Sequence, residues 1–504
     1  MSLPTRRSVI HAGAGGAMAP AILSSQARPT SKPNILFLMD DQHRGDCTHA
    51  DGNAAIRTPN IDRLGREGVR FSHAYSTTPT CTPARSGLLT GLAPWNHGML
   101  HMVAMASNYS FTKPQALRDA GYYAVGIGKM HYHPQRNLNG FHQTILDESG
   151  RVEAPEFRSD YRAWFASQAP HLNPDATGIG FNDYPAKAYA LPENLHPTYW
   201  TGQAAVNFLQ GYQGAAPFFL KVSFARPHSP YDPPARFMKR YEDADIPKRA
   251  VGKWAERYAP RSGPKDDIWH GDLGEAQVRS SRQGYYGNIE FIDEQIGRIL
   301  ETLEKRGWLE RTLIVFTSDH GDMTGDHHLW RKSYGYEASA RIPMFLRWPE
   351  GLVSARRGQV LPQPVELRDI LPTFLDAAGA SAPRQLDGAS LLPLLRRPNP
   401  EWREYIDLEH GVCYSRENNW TGFSDGRTKY LYHAFHGEEQ LFDLETDPNE
   451  VHDLAGDPHH AGKLRLWRSR MVDHLSVRGD HWVKGGKLAI RQEPIPRSPN
   501  FPRA

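Results

Sequence analysis

Four short apolar runs in this chain each end in residue types that hold cations or move protons. Residues 34–39 lead into Asp40 and Asp41, and residues 122–127 into Gly128, Lys129, Met130 and His131. Residues 218–224 lead into Arg226, Pro227 and His228, and residues 313–316 into Ser318, Asp319, His320, Gly321 and Asp322. Carboxylates suit hard divalent cations, and an imidazole titrates close enough to neutral pH to give or take a proton. One aspartate after a strand is ordinarily a helix cap. Four such ends point to a shared crevice, because in open α/β sheets ligands bind outside the carboxyl ends of the strands.

The elements that must carry these residues follow from the same runs. Continuous apolar stretches alternating with helical periodicity predict an α/β fold built on a large, doubly wound, mostly parallel sheet. Ile289, Ile292, Ile296, Ile299 and Leu303, at three- and four-residue spacings, predict an amphipathic helix packed on that sheet. Residues 369–378 read as another helix, with Pro372 near its first turn. The Pro-rich stretch 380–400 suggests a boundary. Beyond it, residues 429–432 and 440–442 predict short antiparallel strands around a Gly-containing turn, and 464–477 a closing helix. The basic, Pro-rich residues 484–504 read as a surface tail without regular structure. The expected division is a catalytic domain over 28–395 and a smaller C-terminal subdomain with an antiparallel sheet over 396–504.

Composition narrows the function classes. At 39% hydrophobic and 23% charged residues, with a mean hydropathy of −0.60, the chain has the balance of a globular protein. A net charge of +3 on 59 basic and 56 acidic residues gives no polycationic face for nucleic acid, so any preference for an anion must come from a local cluster. No stretch reaches the roughly 18 apolar residues of a membrane span, so stable insertion is not expected. Thr5-Arg6-Arg7-Ser8-Val9-Ile10, an Ala/Gly-rich run to Leu23 and then Ser25-Gln26-Ala27 read as a twin-arginine export signal over 1–27. A periplasmic or secreted location follows. Cys47, Cys81 and Cys413 are too few for a disulfide framework, and their odd number leaves at least one thiol for another purpose.

Thr80-Cys81-Thr82-Pro83-Ala84-Arg85-Ser86-Gly87-Leu88-Leu89-Thr90-Gly91 resembles, over its whole length, the signature of the formylglycine-dependent sulfatases: Cys-x-Pro-x-Arg followed by Ser/Gly-Leu-Leu-Thr-Gly. The resemblance extends over most of the mature chain, including Pro59-Asn60-Ile61-Asp62-Arg63-Leu64, Leu441-Phe442-Asp443-Leu444 and Asp447-Pro448. It implies the alkaline-phosphatase-like fold and a Cys81 converted to formylglycine by a formylglycine-generating enzyme. The aldehyde hydrates to a geminal diol, and a cation stabilises the anion of one oxygen so that it attacks sulfur. A sulfated hemiacetal results, and deprotonation of the second hydroxyl expels sulfate. A serine at 81 would lack that second hydroxyl and keep the sulfate. Residues from Ser86 onward read as helical, placing 81 just before a helix N-terminus, where amides favour an anion.

The same resemblance implies that Asp40, Asp41, Cys81, Asp319 and His320 hold one divalent cation, calcium being the family norm. His320 stands where Asn is commoner; His is also found in choline-sulfatase-like and phosphonate-monoester-hydrolase-like branches. Hard carboxylate oxygens suit magnesium as well as calcium, and imidazole tolerates softer ions such as manganese, which leaves the identity of the metal open. Arg85 would orient residue 81, Lys129 and Lys332 would hold the sulfate oxygens, His131 would be the base of the elimination and His228 the acid for the leaving alcohol. His327 and His328 are expected behind the metal ligands; Asn108 could approach the site, though a position away from it is favoured.

Three activities fit. The first is hydrolysis of sulfate esters, of a sulfated carbohydrate in particular. The second is hydrolysis of phosphonate monoesters or phosphodiesters at the same residues, since tetrahedral anions of either element suit one cation and two lysines. The third is carbohydrate binding on an inactive scaffold, disfavoured because no catalytic position is substituted. Residues 226–234, with Tyr199, Trp200 and Trp420, are either sugar-stacking walls or packing groups.

Overall fold

A computed structural model describes residues 32–149, 156–263 and 268–502; the expected export signal lies outside them. The four apolar runs are strands: Asn34–Asp41, Phe218–Pro227 and Thr312–Ser318 each extend beyond the hydrophobic stretch, and Tyr123–Gly128 is shifted one residue along it. In spatial order the eight-stranded sheet runs Gln143–Leu146, Tyr123–Gly128, Phe218–Pro227, Asn34–Asp41, Thr312–Ser318, Met344–Arg347, Val69–Phe71 and Gln359–Leu361. The first five are mutually parallel, and Met344–Arg347 runs antiparallel to both of its neighbours. Asn34–Asp41 is central, pairing Leu36 with Leu220 on one side and with Ile314 on the other.

Alternation along that central strand feeds two cores, as a sheet covered on both faces requires. Ile35, Phe37 and Met39 pack with Leu88, Ile370 and Phe374, while Leu36 and Leu38 pack with Ile292, Ile296, Ile299 and Leu303. The isoleucine-spaced helix is the middle and end of Glu275–Lys305, and the 369–378 helix is Ile370–Ala378, with Pro372 in its first turn. There the missing N–H breaks no helical bond.

The C-terminal sheet is antiparallel, in the order Ile406–His410, Trp420–Ser424, Thr428–His433 and Glu438–Asp443. Helix Ala461–Ser476 covers it, burying Leu464, Trp467 and Met471 against Phe423, Tyr430 and Leu441. The tail departs from expectation at its start, where Val483–Lys484 and Lys487–Leu488 form a two-stranded hairpin. The rest is irregular but tied down: the Leu100 amide donates to the Pro496 carbonyl at 3.1 Å and the Ser498 amide to Gly98 at 2.9 Å. Among the described residues no helix is long and apolar enough to cross a membrane, and no cysteine is in a disulfide.

Candidate active site

The carboxyl ends of the central strands converge on Cys81. Helix Cys81–Thr90 begins at this residue, five positions before the first residue that reads as helical, because Pro83 occupies its first turn without losing a bond. Cys81 is therefore inside the first turn rather than ahead of it. Its Sγ lies 3.2 Å from His320 Nε2 and 3.2 Å from Lys332 Nζ. Ligating atoms of Asp41, Cys81, Asp319 and His320 all lie within 4.8 Å of one another, and all four residues are buried.

Arg85, one turn along the same helix, organises the carboxylates. Its Nε donates to Asp319 Oδ2 at 2.7 Å, Nη2 to Asp41 Oδ2 at 3.0 Å and Nη1 to the Lys129 carbonyl at 2.6 Å. With the Oδ2 atoms held, the Oδ1 atoms of Asp319 and Asp41 face His320 Nε2 at 3.7 and 3.9 Å. The His320 Nδ1–H donates to the Gly321 carbonyl at 2.9 Å, which directs Nε2 at Cys81 and the two aspartates. Two carboxylate oxygens and an imidazole nitrogen thus share one point. Asp40 sits beside this group rather than in it. Its Oδ2 is bonded to His43 Nδ1 at 2.7 Å, while its Oδ1 is buried with no hydrogen-bond partner. An orphaned buried carboxylate oxygen is costly, and together with the other donors it fits a divalent cation of the oxygen-preferring kind.

Charge is balanced within the site. Burial pushes the Asp41 carboxyl up, but Lys129, whose Nζ is 2.7 Å from Oδ2, and Arg85 hold it well below the usual range. Burial raises Asp40 more than His43 lowers it. For the Cys81 thiol, burial and Asp41 act upward, yet Lys332, His320 and Lys129 leave it lower than an ordinary thiol. His228 is pushed well below its usual value by burial, with Lys332 and Lys129 adding to the shift.

Of the remaining predicted residues, His228 is tied directly to this centre. His228 follows strand Phe218–Pro227; its amide donates to the Asp41 carbonyl at 2.9 Å and its ring lies 5.1 Å from that of Phe181. His131 has φ of 61°, and its amide and that of Met130 both donate to Glu148 Oε1 at 2.9 Å. His327 is bonded to Gly252 and Asn449, and His328 lies beside Arg249; they tie down the loop after the metal strand. Asn108 is exposed and has no hydrogen bond to these residues among the described contacts. Trp420 is buried with Nε1 on the Ser333 carbonyl, and Trp200 packs on Tyr161, so both are packing groups.

Several partners were not apparent from sequence. Gln42, at φ of 73°, accepts from Lys332 Nζ at 2.9 Å and donates to Asp322 Oδ2 at 2.6 Å; Tyr231 also donates to Asp322, at 2.7 Å. His43 fixes Asp40, and Glu148 fixes the Lys129–His131 turn. Gln42 and His43 directly follow the two aspartates, and Asp322 follows Asp319 by three; proximity was their only signal.

This sheet, with its buried acid, thiol, imidazole and lysine groups at one edge, is that of the alkaline-phosphatase-like hydrolases. Within them the chain belongs to the sulfatase family and is a sulfuric ester hydrolase: the sulfatase profile matches residues 33–380, and that of the N-sulphoglucosamine sulphohydrolase C-terminal region matches 325–475. It is 38% identical to an arylsulfatase of Clostridium perfringens over 471 residues, covering 91% of this chain and 97% of that protein. Identity to a choline-sulfatase of Rhizobium meliloti is 31% (92% and 90% covered), and to an N-acetylglucosamine-6-O-sulfatase of Bacteroides thetaiotaomicron 29% (89% and 88%). A phosphonate monoester hydrolase of Agrobacterium radiobacter superposes with a TM-score of 0.75 at 26% identity, over 93% of this chain and all of that one.

Proposed function

We propose that this enzyme hydrolyses the sulfate ester of a carbohydrate, with residue 81, as formylglycine, supplying the nucleophile. The observation that carries the reading is the position of Cys81 Sγ, 3.2 Å from both Lys332 Nζ and His320 Nε2 in the first turn of a helix. The similarity to an N-acetylglucosamine-6-O-sulfatase supports a sugar substrate. Asp40, Asp41, Asp319 and His320, with the modified residue 81, would hold one divalent cation, calcium first and magnesium or manganese as alternatives. The cation and the formylglycine hydrate would together supply an anionic oxygen nucleophile at neutral pH and a second hydroxyl whose deprotonation releases sulfate.

The chain's own groups do the rest. Arg85 keeps Asp41 and Asp319 oriented and lies between their charges. Lys129 and Lys332 bind the sulfate oxygens, and Gln42 positions Lys332. Burial, with Lys332 and Lys129 adding, holds the His228 pKa down; a bound anion would offset the two lysines and favour its protonated form, whose Nε2 would protonate the leaving alcohol. His131, on the turn fixed by Glu148, takes the proton in the elimination. We take 28–395 as the catalytic domain and 396–504 as a subdomain buttressing the Lys332 loop through Trp420 and Asn418. Export by the twin-arginine route after modification in the cytoplasm completes the reading. N-terminal sequencing of mature protein should begin near residue 28, and an N-terminus at residue 1 or 2 would contradict it.

The similarity to the phosphonate monoester hydrolase keeps a second reading in view, hydrolysis of phosphonate monoesters or phosphodiesters at the same residues. Comparing kcat/KM on the sulfate and the phosphate or phosphonate esters of one phenol separates the two. Preference for the sulfate supports the first reading, and preference for a phosphorus ester establishes the second.

A further inference from the structure

A cavity of about 260 Å³ lies beside the His228 turn and is walled by Phe181, Tyr161, Arg226, Arg162, Asp147 and Ser149. Phe181 belongs to both places: its ring is 5.1 Å from that of His228 and 5.7 Å from Lys129 Nζ. The loop carrying Phe181 is also bonded to the His228 turn, since Ser229 Oγ donates to the Asp183 carbonyl at 2.7 Å. The cavity therefore shares the Phe181 ring with the surroundings of His228 and Lys129.

Its polar lining is unevenly matched. Arg226 is paired with Asp232 at 2.8 and 3.2 Å, and Arg162 with Asp175 at 2.9 and 2.8 Å, so neither guanidinium offers an unmatched charge for a second anion. Asp147 follows strand Gln143–Leu146 at the same sheet edge as the site and is only 1% exposed. Its Oδ1 accepts the Ser149 amide at 3.0 Å, but its Oδ2 has no hydrogen-bond partner, nor do Ser149 Oγ and Arg162 Nε. One unmatched acceptor, one unmatched donor and a hydroxyl call for a ligand that both donates and accepts. Two guanidiniums nearby disfavour a cationic ligand, and the Asp147 carboxylate disfavours an anionic one. A polyhydroxylated ring meets these conditions, with the Phe181 ring and the apolar edges of Pro174 and Pro230 against its C–H face.

We infer that this cavity receives the sugar ring of the leaving alcohol and that Asp147 selects it by accepting a hydrogen bond from a ring hydroxyl. The inference rests on the sulfatase reading and adds to it the place of the sugar ring and the residue that reads it. Sites that hydrogen-bond a substrate hydroxyl reject analogues lacking it far more strongly than apolar pockets do.

The test uses full-length, formylglycine-bearing enzyme, wild type and Asp147→Ala. The substrates are 4-nitrophenyl sulfate, a panel of monosaccharide sulfates, and the monodeoxy analogues of the panel member turned over best. Asp147→Ala should lower kcat/KM on that sugar about 10-fold or more, as loss of a hydrogen bond to a charged group does, and leave 4-nitrophenyl sulfate within about twofold. One deoxy analogue should lose the same factor in the wild type and nothing further in the variant. Equal losses on sugar and aryl substrates, or wild-type turnover of the aryl ester with no panel sugar accepted, would overturn the inference. If Asp147→Ala does not fold, the wild-type deoxy series and Ser149→Ala decide: a flat series with an unaffected Ser149→Ala overturns it. Wild-type enzyme inactive on every sulfate ester would instead overturn the sulfatase reading itself.

Discussion

Nε2 of His320 lies 3.2 Å from Sγ of Cys81 while its Nδ1 is committed to the Gly321 carbonyl, so the ring turns its second nitrogen toward residue 81. A nitrogen donor among carboxylates widens the choice of ion. His320→Asn should shift the preference of the metal-stripped enzyme toward calcium and away from manganese, read by titrating each ion against activity and binding. An unchanged order of preference would show that His320 does not ligate.

The Oδ1 atoms of Asp41 and Asp319 meet beside His320, and Asp40 next to them has an orphaned Oδ1; the proposed cation would relieve their repulsion beyond what Arg85 and Lys129 provide. Exhaustive chelation should abolish activity and divalent ions restore it, and Asp319→Asn should lower metal affinity and kcat together. His43→Ala, which frees Asp40, should weaken metal binding about 10- to 100-fold without touching the nucleophile. Full activity after chelation, with no metal by elemental analysis, would remove the cation from the account.

His228 as the acid predicts a dependence on leaving group. Its loss matters most where the departing oxygen is a poor leaving group, since general acid catalysis contributes about 10²- to 10⁴-fold. His228→Ala should lose most of that factor on alkyl and sugar sulfates and much less on 4-nitrophenyl sulfate. Equal losses on both would assign His228 to binding instead.

Lys221, on the strand that delivers His228, is buried 5.7 Å from the Tyr132 ring; burial, with Arg85 adding, pushes its pKa down to about 7. The unfolded chain keeps that lysine protonated to about pH 10.4, so between the two values it binds more protons than the folded protein. Stability at this site is therefore depressed below pH 7 and recovers as pH rises toward 10.4. Lys221→Met should stabilise the fold by about 1–3 kcal/mol at pH 7, with the gain shrinking as pH rises, measured by denaturant unfolding across pH. A gain independent of pH would point to packing alone.

What the sequence showed and what it hid have a common physical origin. The strands through Leu36, Val125, Val222 and Val315 were legible because both faces are buried, which forces continuous apolar runs. Cys81 and Arg85 were legible through a contiguous signature. Gln42 and Glu148 were not, since each acts by holding another residue: Gln42 meets Asp322 and Lys332 across more than 270 positions, and Glu148 holds the amides of Met130 and His131. The start of helix Cys81–Thr90 was placed late because Pro83 reads as a breaker until its position in the first turn is known. Asp147 and Phe181 lie in coil, where neither period nor motif marks a residue.

The central claim is that residue 81 does its chemistry as formylglycine. Mass spectrometry of the residue-81 peptide, from enzyme made with a formylglycine-generating enzyme and sorted into active and inactive fractions, tests it most directly. The aldehyde mass should track specific activity across fractions, and Cys81→Ala, still folded, should be inactive. A fully active fraction whose Cys81 peptide carries the unmodified thiol would contradict it.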